Sequence, residues 1–305
     1  MPDGLDGLFA AYRLHLVIEQ GHQHRTWMVQ RRTVLAFLAA AGEPYDQVTT
    51  AHLERYTRRP GLSDHTRHAY TSHLKTFYAW LADAGHLPDD PFRKVKTPRV
   101  RPAPPRDLDL ADVARLLDYA VQRPRLWVMA WLGYGAGLRC AEIASLRVED
   151  VRLGGREPQL RVHGKGGAWR TVPLHPVLAG VLALWLDQSG LGASGPLLPS
   201  ERDPSLHVGA HWVSDLLCGA LRDAGVRATA HQLRHTFASD LLAECEDLRA
   251  VQQLLGHVSI RTTEGYTSGV TAKTRRAVGH LRDPRRYRQA SGGVSLLSLL
   301  APWLT

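Results

Sequence analysis

Six polar side chains in the second part of the chain are of types that could do chemistry: Arg139, Lys165, His231, Arg234, His257 and Tyr266. Guanidinium groups carry a permanent charge and can donate pairs of hydrogen bonds to phosphate oxygens. Histidine and lysine side chains can transfer protons, and a tyrosine oxygen can act as a nucleophile. Together these residue types could supply anion binding, proton transfer and a nucleophile.

The local sequence indicates which elements must position these groups. Arg139 follows the glycine-rich turn GAGL at the start of a predicted helix, and Lys165 occupies the tip of a predicted hairpin in HGKGG. His231 and Arg234 lie three residues apart in HQLRHT, which places them on one face of a helix. A turn, a hairpin and a helix must therefore meet if these side chains act together.

Each of these residues also has an ordinary structural interpretation. Arg139 could pair with Glu142, three residues later, in a surface ion pair that contributes little to stability. Lys165 could be a solvated turn residue beside its glycines, and Tyr266 alone could be a packed or exposed tyrosine. Only the ordered combination of residues favours a catalytic interpretation.

A metal site is the alternative that the histidines raise. His231 and His235 are one helical turn apart, as metal ligands often are. The glutamate of an HExxH motif is absent and no third ligand stands out. We therefore predict no metal and no cofactor.

Four stretches resemble, in the correct order, the tyrosine recombinase family (phage integrase, Xer-like). They are GAGLRCAEIASLRVEDV, RVHGKGGAWRTVPL, HQLRHTFASDLL and LLGHVSIRTTEGYT, and the resemblance runs from about Asp107 to His280. The earlier stretch SDHTRHAYTSHLKTFYAWLADAGHLPDDP resembles the end of the family's core-binding domain. After Tyr266 the chain reads TSG, where many relatives have Thr-His, so one local contact differs.

The resemblance implies that Arg139, Arg234 and His257 surround a scissile phosphate. Negative charge spreads over the phosphate oxygens in the transition state, and the two guanidiniums would clamp the non-bridging oxygens. His257 would donate a further hydrogen bond. This arrangement does the work that metal ions do elsewhere.

The resemblance also implies that Tyr266 attacks the phosphate. A tyrosine has a pKa near 10 in water, so its ionisation needs nearby positive charge. His231 would accept or position the proton, and Lys165 would protonate the departing 5′ oxygen. The product would be a 3′-phosphotyrosyl intermediate that another 5′ hydroxyl can reverse without ATP.

The predicted fold class is mainly α with a small antiparallel β-sheet (α+β). Apolar residues recur at helical spacing at Leu8, Tyr12, Leu16 and Ile18, and Ser63 or Asp64 could cap a later helix. PQLRVHG and WRTVPL predict two strands joined by GKGG, whereas LRCAEIASLRVEDV reads as continuous helix.

Four segments are predicted: a helical core-binding domain at 1–95, a basic proline-rich linker at 96–106, a catalytic domain at 107–282, and a tail at 283–305 that docks on a neighbouring subunit or folds back.

Composition favours a nucleic-acid partner and a cytoplasmic location. The net charge is +9 among 305 residues, and neutralising phosphates releases counterions. The three cysteines show no CxxC spacing and predict reduced thiols. Neither a signal peptide nor a membrane span is indicated, so we expect no membrane partner.

The implied partner is double-stranded DNA with paired inverted-repeat sites, bound by a tetramer of this chain or of this chain with a relative. A type IB topoisomerase shares the same chemistry, but the separate helical domain favours a recombinase. An accessory protein without catalysis would have a broken residue set, and a metal nuclease would need carboxylate clusters. Between a mobile-element integrase and a chromosome-dimer resolvase, the loose N-terminal match favours the integrase slightly.

Overall fold

The computed structural model describes residues 4–20, 24–100, 107–154, 157–164, 167–256, 272–281 and 283–284. The chain divides into two compact units, Met1–Ala103 and Pro104–Thr305, and each is considered by itself. Most of the predicted linker and nearly all of the predicted tail lie outside the described residues. No helix in the described ranges has the length and apolar character that crossing a membrane requires.

The first unit is helical throughout its described part. Its helices are α1 (Leu5–Leu14), α2 (His24–Ala41), α3 (Thr50–Thr57) and α4 (Asp64–Asp83), with a π-helical turn at His15–Glu19 after α1. Aromatic rings that are almost fully buried form much of its core: Phe9, Tyr12, Phe37, Phe77, Tyr78 and Phe92. Burial of this aromatic area is the main source of stability for so small a unit.

Of two predictions made for the first unit, the helix cap at Ser63 is confirmed and the buried position of Ile18 is wrong. The Ser63 hydroxyl accepts the backbone N–H of Thr66 at 3.2 Å, so Ser63 caps α4 as predicted. Ile18 does not continue the buried stripe, because it is 70% exposed whereas Leu16 is 1% exposed. Ile18 follows Leu16 by two residues, about half a helical turn, so its side chain lies on the opposite side of the helix from the stripe.

The described part of the second unit contains eight α-helices and a small sheet. The helices are α5 (Leu110–Ala120), α6 (Pro124–Gly135), α7 (Cys140–Ser145), α8 (Pro176–Gln188), α9 (Ala210–Asp223), α10 (Ala230–Cys245), α11 (Leu248–Leu255) and α12 (Ala272–Gly279). The strands are β1 (Val151–Arg152), β2 (Gln159–His163) and β3 (Trp169–Pro173), in the antiparallel order β1-β2-β3. The predicted fold class, mainly α with a small antiparallel sheet, is confirmed.

The predicted hairpin is present, and the predicted continuous helix before it is not. β2 and β3 pair from Gln159↔Pro173 to His163↔Trp169. The helix that begins after Arg139 ends at Ser145, because Leu146 is extended, and a short 3₁₀ turn at Val148–Asp150 leads into β1. A two-residue strand is too short to show an alternating pattern, so the sequence could not indicate this third strand.

The centre of the second unit is α6, which is apolar on all sides. Every residue from Leu126 to Gly135 is buried, as expected for a helix surrounded by others. The helices α5, α8, α9 and α10 all contact it. Immediately beyond its end, the chain turns at Gly137 and reaches Arg139, so the core of the unit fixes where this arginine begins.

We expect Gly137→Ala to destabilise the protein strongly. Gly137 has φ +62°, and an added Cβ would lie 2.3 Å from Cδ1 of Phe237. The left-handed backbone costs about 1–2 kcal/mol with a side chain and overpacking about 1–3 kcal/mol, which together give about 2–5 kcal/mol. Urea denaturation of the full chain, followed by circular dichroism, measures the loss.

The matched control is Gly180→Ala on the exposed face of α8, where an added Cβ meets nothing within 4 Å. This change should stabilise the protein by about 0.5–1 kcal/mol, because alanine has less backbone freedom to lose in a helix. An unchanged free energy of unfolding for Gly137→Ala would contradict the close packing of this turn.

Candidate active site

Three of the six predicted residues lie in the described part of the chain. Arg139 precedes the first turn of α7 as its N-cap residue, and His231 and Arg234 lie in the first turns of α10. Lys165, His257 and Tyr266 lie outside the described residues. The described part of the site therefore consists of Arg139, His231, Arg234 and the residues that they contact.

Arg139 and Arg234 meet at the end of α11. Nη1 of Arg139 and Nη2 of Arg234 donate to the carbonyl O of Leu255, at 3.4 and 2.6 Å. Arg234 also donates to the carbonyl O of Gly137 in the turn before Arg139. The two guanidiniums thus converge on one carbonyl, two residues before His257 in the chain.

A buried carboxylate, Glu142, holds this pair. Its oxygens accept the backbone N–H of Arg139 at 2.9 Å and Nη1 of the same residue at 2.8 Å. Nη1 of Arg234 lies 3.5 Å from its Oε2. Glu142 is 4% exposed, so the Arg139–Glu142 contact is not the weak surface pair considered as the ordinary alternative.

A third arginine, Arg170 of β3, completes the cluster. Its Nη1 and Nη2 donate to the two carboxylate oxygens of Glu142 at 2.9 and 2.8 Å. Burial by itself raises the pKa of Glu142, but the hydrogen bonds and charge of Arg170, with smaller contributions from Arg139 and Arg234, hold this pKa below its usual range. Three guanidiniums thus share one carboxylate, which leaves a surplus of positive charge suited to an anion.

The charge of Arg234 persists despite its burial. The side chain is 5% exposed. Burial, together with the positive charges of Arg139 and Arg170, lowers the pKa of Arg234 to about 10, although Glu142 opposes this. At neutral pH the guanidinium stays protonated and can act as a permanent hydrogen-bond donor in a poorly solvated site.

His231 is suited to accept a proton. Desolvation of its ring lowers its pKa, and the positive charges of His235, Arg234 and Arg139 lower it further. The imidazole is therefore mainly neutral at pH 7, the form that a general base requires. The rings of His231 and His235 are 4.6 Å apart and nearly perpendicular. Within the described ranges, no three histidine, cysteine or acidic side chains are grouped to hold a metal ion.

Sequence reasoning missed the structural importance of Glu142 and did not consider Arg170. One signal for Arg170 was available in WRTVPL. Alternation along β3 places Arg170 on the same face as the buried Val172, opposite the buried Val162. A charged residue on the buried face of a strand needs a buried partner of opposite charge, but nothing local identifies Glu142 as that partner.

The comparisons with known proteins agree with the predicted family. A sequence model of the phage integrase family matches residues 106–272. The chain is 30% identical over 280 residues to tyrosine recombinase XerC of Vibrio atlanticus (strain LGP32), covering 88% of this chain and 90% of that protein. It is 32% identical over 292 residues to tyrosine recombinase XerC of Vibrio vulnificus (strain YJ016), covering 88% of each. In fold it is similar to a chain of lambda integrase from a structure of the tetramer bound to a Holliday junction. The TM-score is 0.64 at 18% identity, and the match covers 85% of this chain and 80% of that chain.

The extent of these matches decides the family. The family model covers more than half of the 305 residues and includes all six predicted positions. The XerC relatives match across nearly the whole length of both partners, so the first unit is included in the similarity. The chain therefore belongs to the phage integrase family of tyrosine recombinases, enzymes of site-specific DNA recombination.

Proposed function

We propose that this chain cuts and rejoins DNA with Tyr266 as its nucleophile, without metal or ATP. The observation that carries the proposal is the pair formed by the partly buried Arg139 and the buried Arg234, held by Glu142 against the carbonyl of Leu255. Preorganised donors of this kind stabilise the charge that develops on phosphate oxygens, because they need no reorganisation during the reaction.

The proposed cleavage step balances as follows. The Tyr266 oxygen bonds to phosphorus while the bond from phosphorus to the 5′ oxygen breaks. His231 accepts or positions the tyrosine proton, in keeping with its lowered pKa, and Lys165 donates a proton to the departing 5′ oxygen. His257 donates a hydrogen bond to the phosphate.

The covalent intermediate explains why rejoining the DNA strands needs no external energy source such as ATP. The 3′-phosphotyrosyl bond replaces one phosphate ester by another, so the energy of the DNA backbone is retained. A 5′ hydroxyl from a second duplex then attacks the same phosphorus and releases Tyr266. Two rounds of this exchange produce recombinant DNA.

We also assign roles to the other segments. The helical residues 1–95 would bind DNA beside the cleavage site, and the basic linker at 96–106 would follow the backbone. The net charge of +9 supports a polyanionic partner, and we expect the protein to work in the cytoplasm.

The proposed assembly is a tetramer on paired inverted repeats, made of this chain alone or with a relative. The similar lambda integrase fold was solved as a tetramer on a Holliday junction, which supports this assembly. In it, the tail at 283–305 would dock on a neighbouring subunit and couple the active sites.

Covalent capture tests the proposal. The purified full chain is incubated in EDTA with nicked, fragmented double-stranded DNA and then denatured, and the protein-linked DNA is sequenced. We expect an adduct on Tyr266, located by mass spectrometry, that is enriched in one short inverted repeat. Scattered sites would indicate a topoisomerase-like enzyme instead. Intact DNA binding without any adduct would overturn the proposed activity of the free chain.

A further inference from the structure

Arg170 is an almost buried arginine whose donors are directed at protein groups. Its side chain is 10% exposed. Nη1 and Nη2 bind both oxygens of Glu142, and Nε donates to the carbonyl O of Leu254 at 2.7 Å. Because all three nitrogen atoms of this guanidinium have protein partners, its contacts differ from those of a free phosphate-binding arginine.

Two glycines pack against the same guanidinium. A Cβ at Gly164 would lie 3.4 Å from Nη1 of Arg170, and a Cβ at Gly256 would lie 3.2 Å from that atom. Gly164 directly precedes Lys165, and Gly256 directly precedes His257. Arg170 thus contacts the chain immediately before two of the predicted catalytic residues.

Glu142 connects Arg170 to the arginine pair. Its Oε1 accepts from both Arg139 and Arg170, and its Oε2 lies within ion-pair distance of Arg234. The end of α11 is held in the same way, since Arg170 binds the carbonyl of Leu254 while Arg139 and Arg234 bind the next carbonyl along. The side chain of Arg170 therefore joins β3, α7 and α11.

We propose that Arg170 is a positioning residue for DNA strand cleavage. It fixes the arginine pair through Glu142 and fixes the end of α11 through the carbonyl of Leu254. The inference rests on the proposed function. Arginine suits this role because its planar fork can bind a carboxylate with two donors while a third donor serves another acceptor, whereas lysine offers a single ammonium.

We expect Arg170→Lys, which keeps the charge but not the fork, to slow strand cleavage without weakening DNA binding. A misplacement of catalytic groups by about 1 Å costs on the order of 100-fold in rate, and we expect a loss of about that size. The measurement is the single-turnover rate of adduct formation by the full chain on the nicked DNA site recovered by covalent capture. Anisotropy titration of the same site should give a Kd within about 3-fold of wild type, because the loss concerns the transition state.

The matched control is Arg125→Lys in the first turn of α6. Arg125 also donates to one carboxylate, that of Glu201 at 3.0 Å, and to one backbone carbonyl, that of Pro199. Within the described ranges, no hydrogen bond links the Arg125–Glu201 pair to the Glu142 cluster. The control should cleave at the wild-type rate.

A second substrate separates positioning from a general loss of folded protein. In a methylphosphonate site, a methyl group replaces one charged oxygen of the scissile phosphate, so the reaction depends less on the arginine pair. If Arg170 positions that pair, the loss caused by Arg170→Lys should shrink on this substrate. A smaller folded fraction would instead lower both rates by the same factor, and that result would overturn the inference.

A second variant, Arg170→Met, provides the test if the lysine variant does not fold. It removes one charge from a cluster with surplus positive charge, and Glu142 keeps Arg139 and Arg234 as counter-charges, so the carboxylate is not left unpaired. Wild-type cleavage rates in either folded variant, with a wild-type adduct on Tyr266, would refute the role of Arg170 and leave the proposed function intact. If the wild-type chain itself forms no adduct, the proposed function fails first.

Discussion

Replacing Tyr266 by phenylalanine is expected to abolish the covalent adduct with DNA while leaving DNA affinity unchanged. Phenylalanine keeps the ring but has no oxygen that could bond to phosphorus. The basic residues that attract DNA are untouched, so binding should persist. The measurement is adduct formation on the captured nicked site, resolved by denaturing gel, with an anisotropy titration of the same DNA.

A second tyrosine in the same unit serves as the control. The hydroxyl of Tyr119 donates to Asp223 at 2.8 Å, so Tyr119→Phe removes one hydroxyl outside the cluster. Its adduct yield should equal that of the wild type. If Tyr266→Phe still forms the adduct at the normal rate, another residue is the nucleophile and the assignment of Tyr266 is wrong.

The sequence indicated the two arginines that the structure brings together, and Glu142 as a partner of one of them, but not the cluster that holds both. Arg139 and Arg234 belong to short motifs, GAGLR and HQLRHT, whose residue types and order are recognisable without a structure. Glu142 is close to Arg139 in the chain, but its other partners, Arg170 and Arg234, come from distant segments, as does the shared carbonyl of Leu255. Contacts of this kind depend on tertiary packing, which local periodicity does not encode.

In the fold, too, features set by the local sequence were predictable, and features set by tertiary packing were not. The β2–β3 hairpin was predictable because a glycine-rich turn separates two short alternating segments. The end of α7 at Ser145 was not, because the apolar spacing of the sequence continues beyond it while the backbone turns to form β1. Ile18 failed for a different reason, since a residue two positions after Leu16 lies on the opposite side of a helix even when it is apolar.

Glu142→Gln is expected to lower the rate of adduct formation about 1,000-fold. Losing one preorganised hydrogen-bond donor costs about 100- to 1,000-fold in rate. The upper end applies because Glu142 contacts both Arg139 and Arg234. Glutamine keeps the shape and one acceptor oxygen but removes the negative charge. Three guanidiniums would then share a buried site without a counter-charge, and their mutual repulsion would displace them. The measurement is the single-turnover rate on the captured site.

The same change should also destabilise the fold. Removing one partner of a buried ion pair costs about 3–5 kcal/mol, and Glu142 is 4% exposed with partners on α7, α10 and β3. The rate is therefore compared at a temperature where circular dichroism shows both proteins folded. Glu201→Gln is the matched control, because Glu201 is 79% exposed and pairs with Arg125 alone among the described ion pairs; its stability and its rate should not change.

The pH dependence of stability distinguishes the lost charge from a lost shape. The pKa of Glu142 is lower in the folded chain than its ordinary value of 4.5, so the carboxylate stabilises the fold above pH 4.5. This contribution disappears as the pH falls through the folded-state pKa, because the protonated acid resembles glutamine in charge. The difference in melting temperature between wild type and Glu142→Gln should therefore narrow in acid. A difference that stays constant down to the folded-state pKa would mean that packing, and not the charge of Glu142, holds the arginines in place.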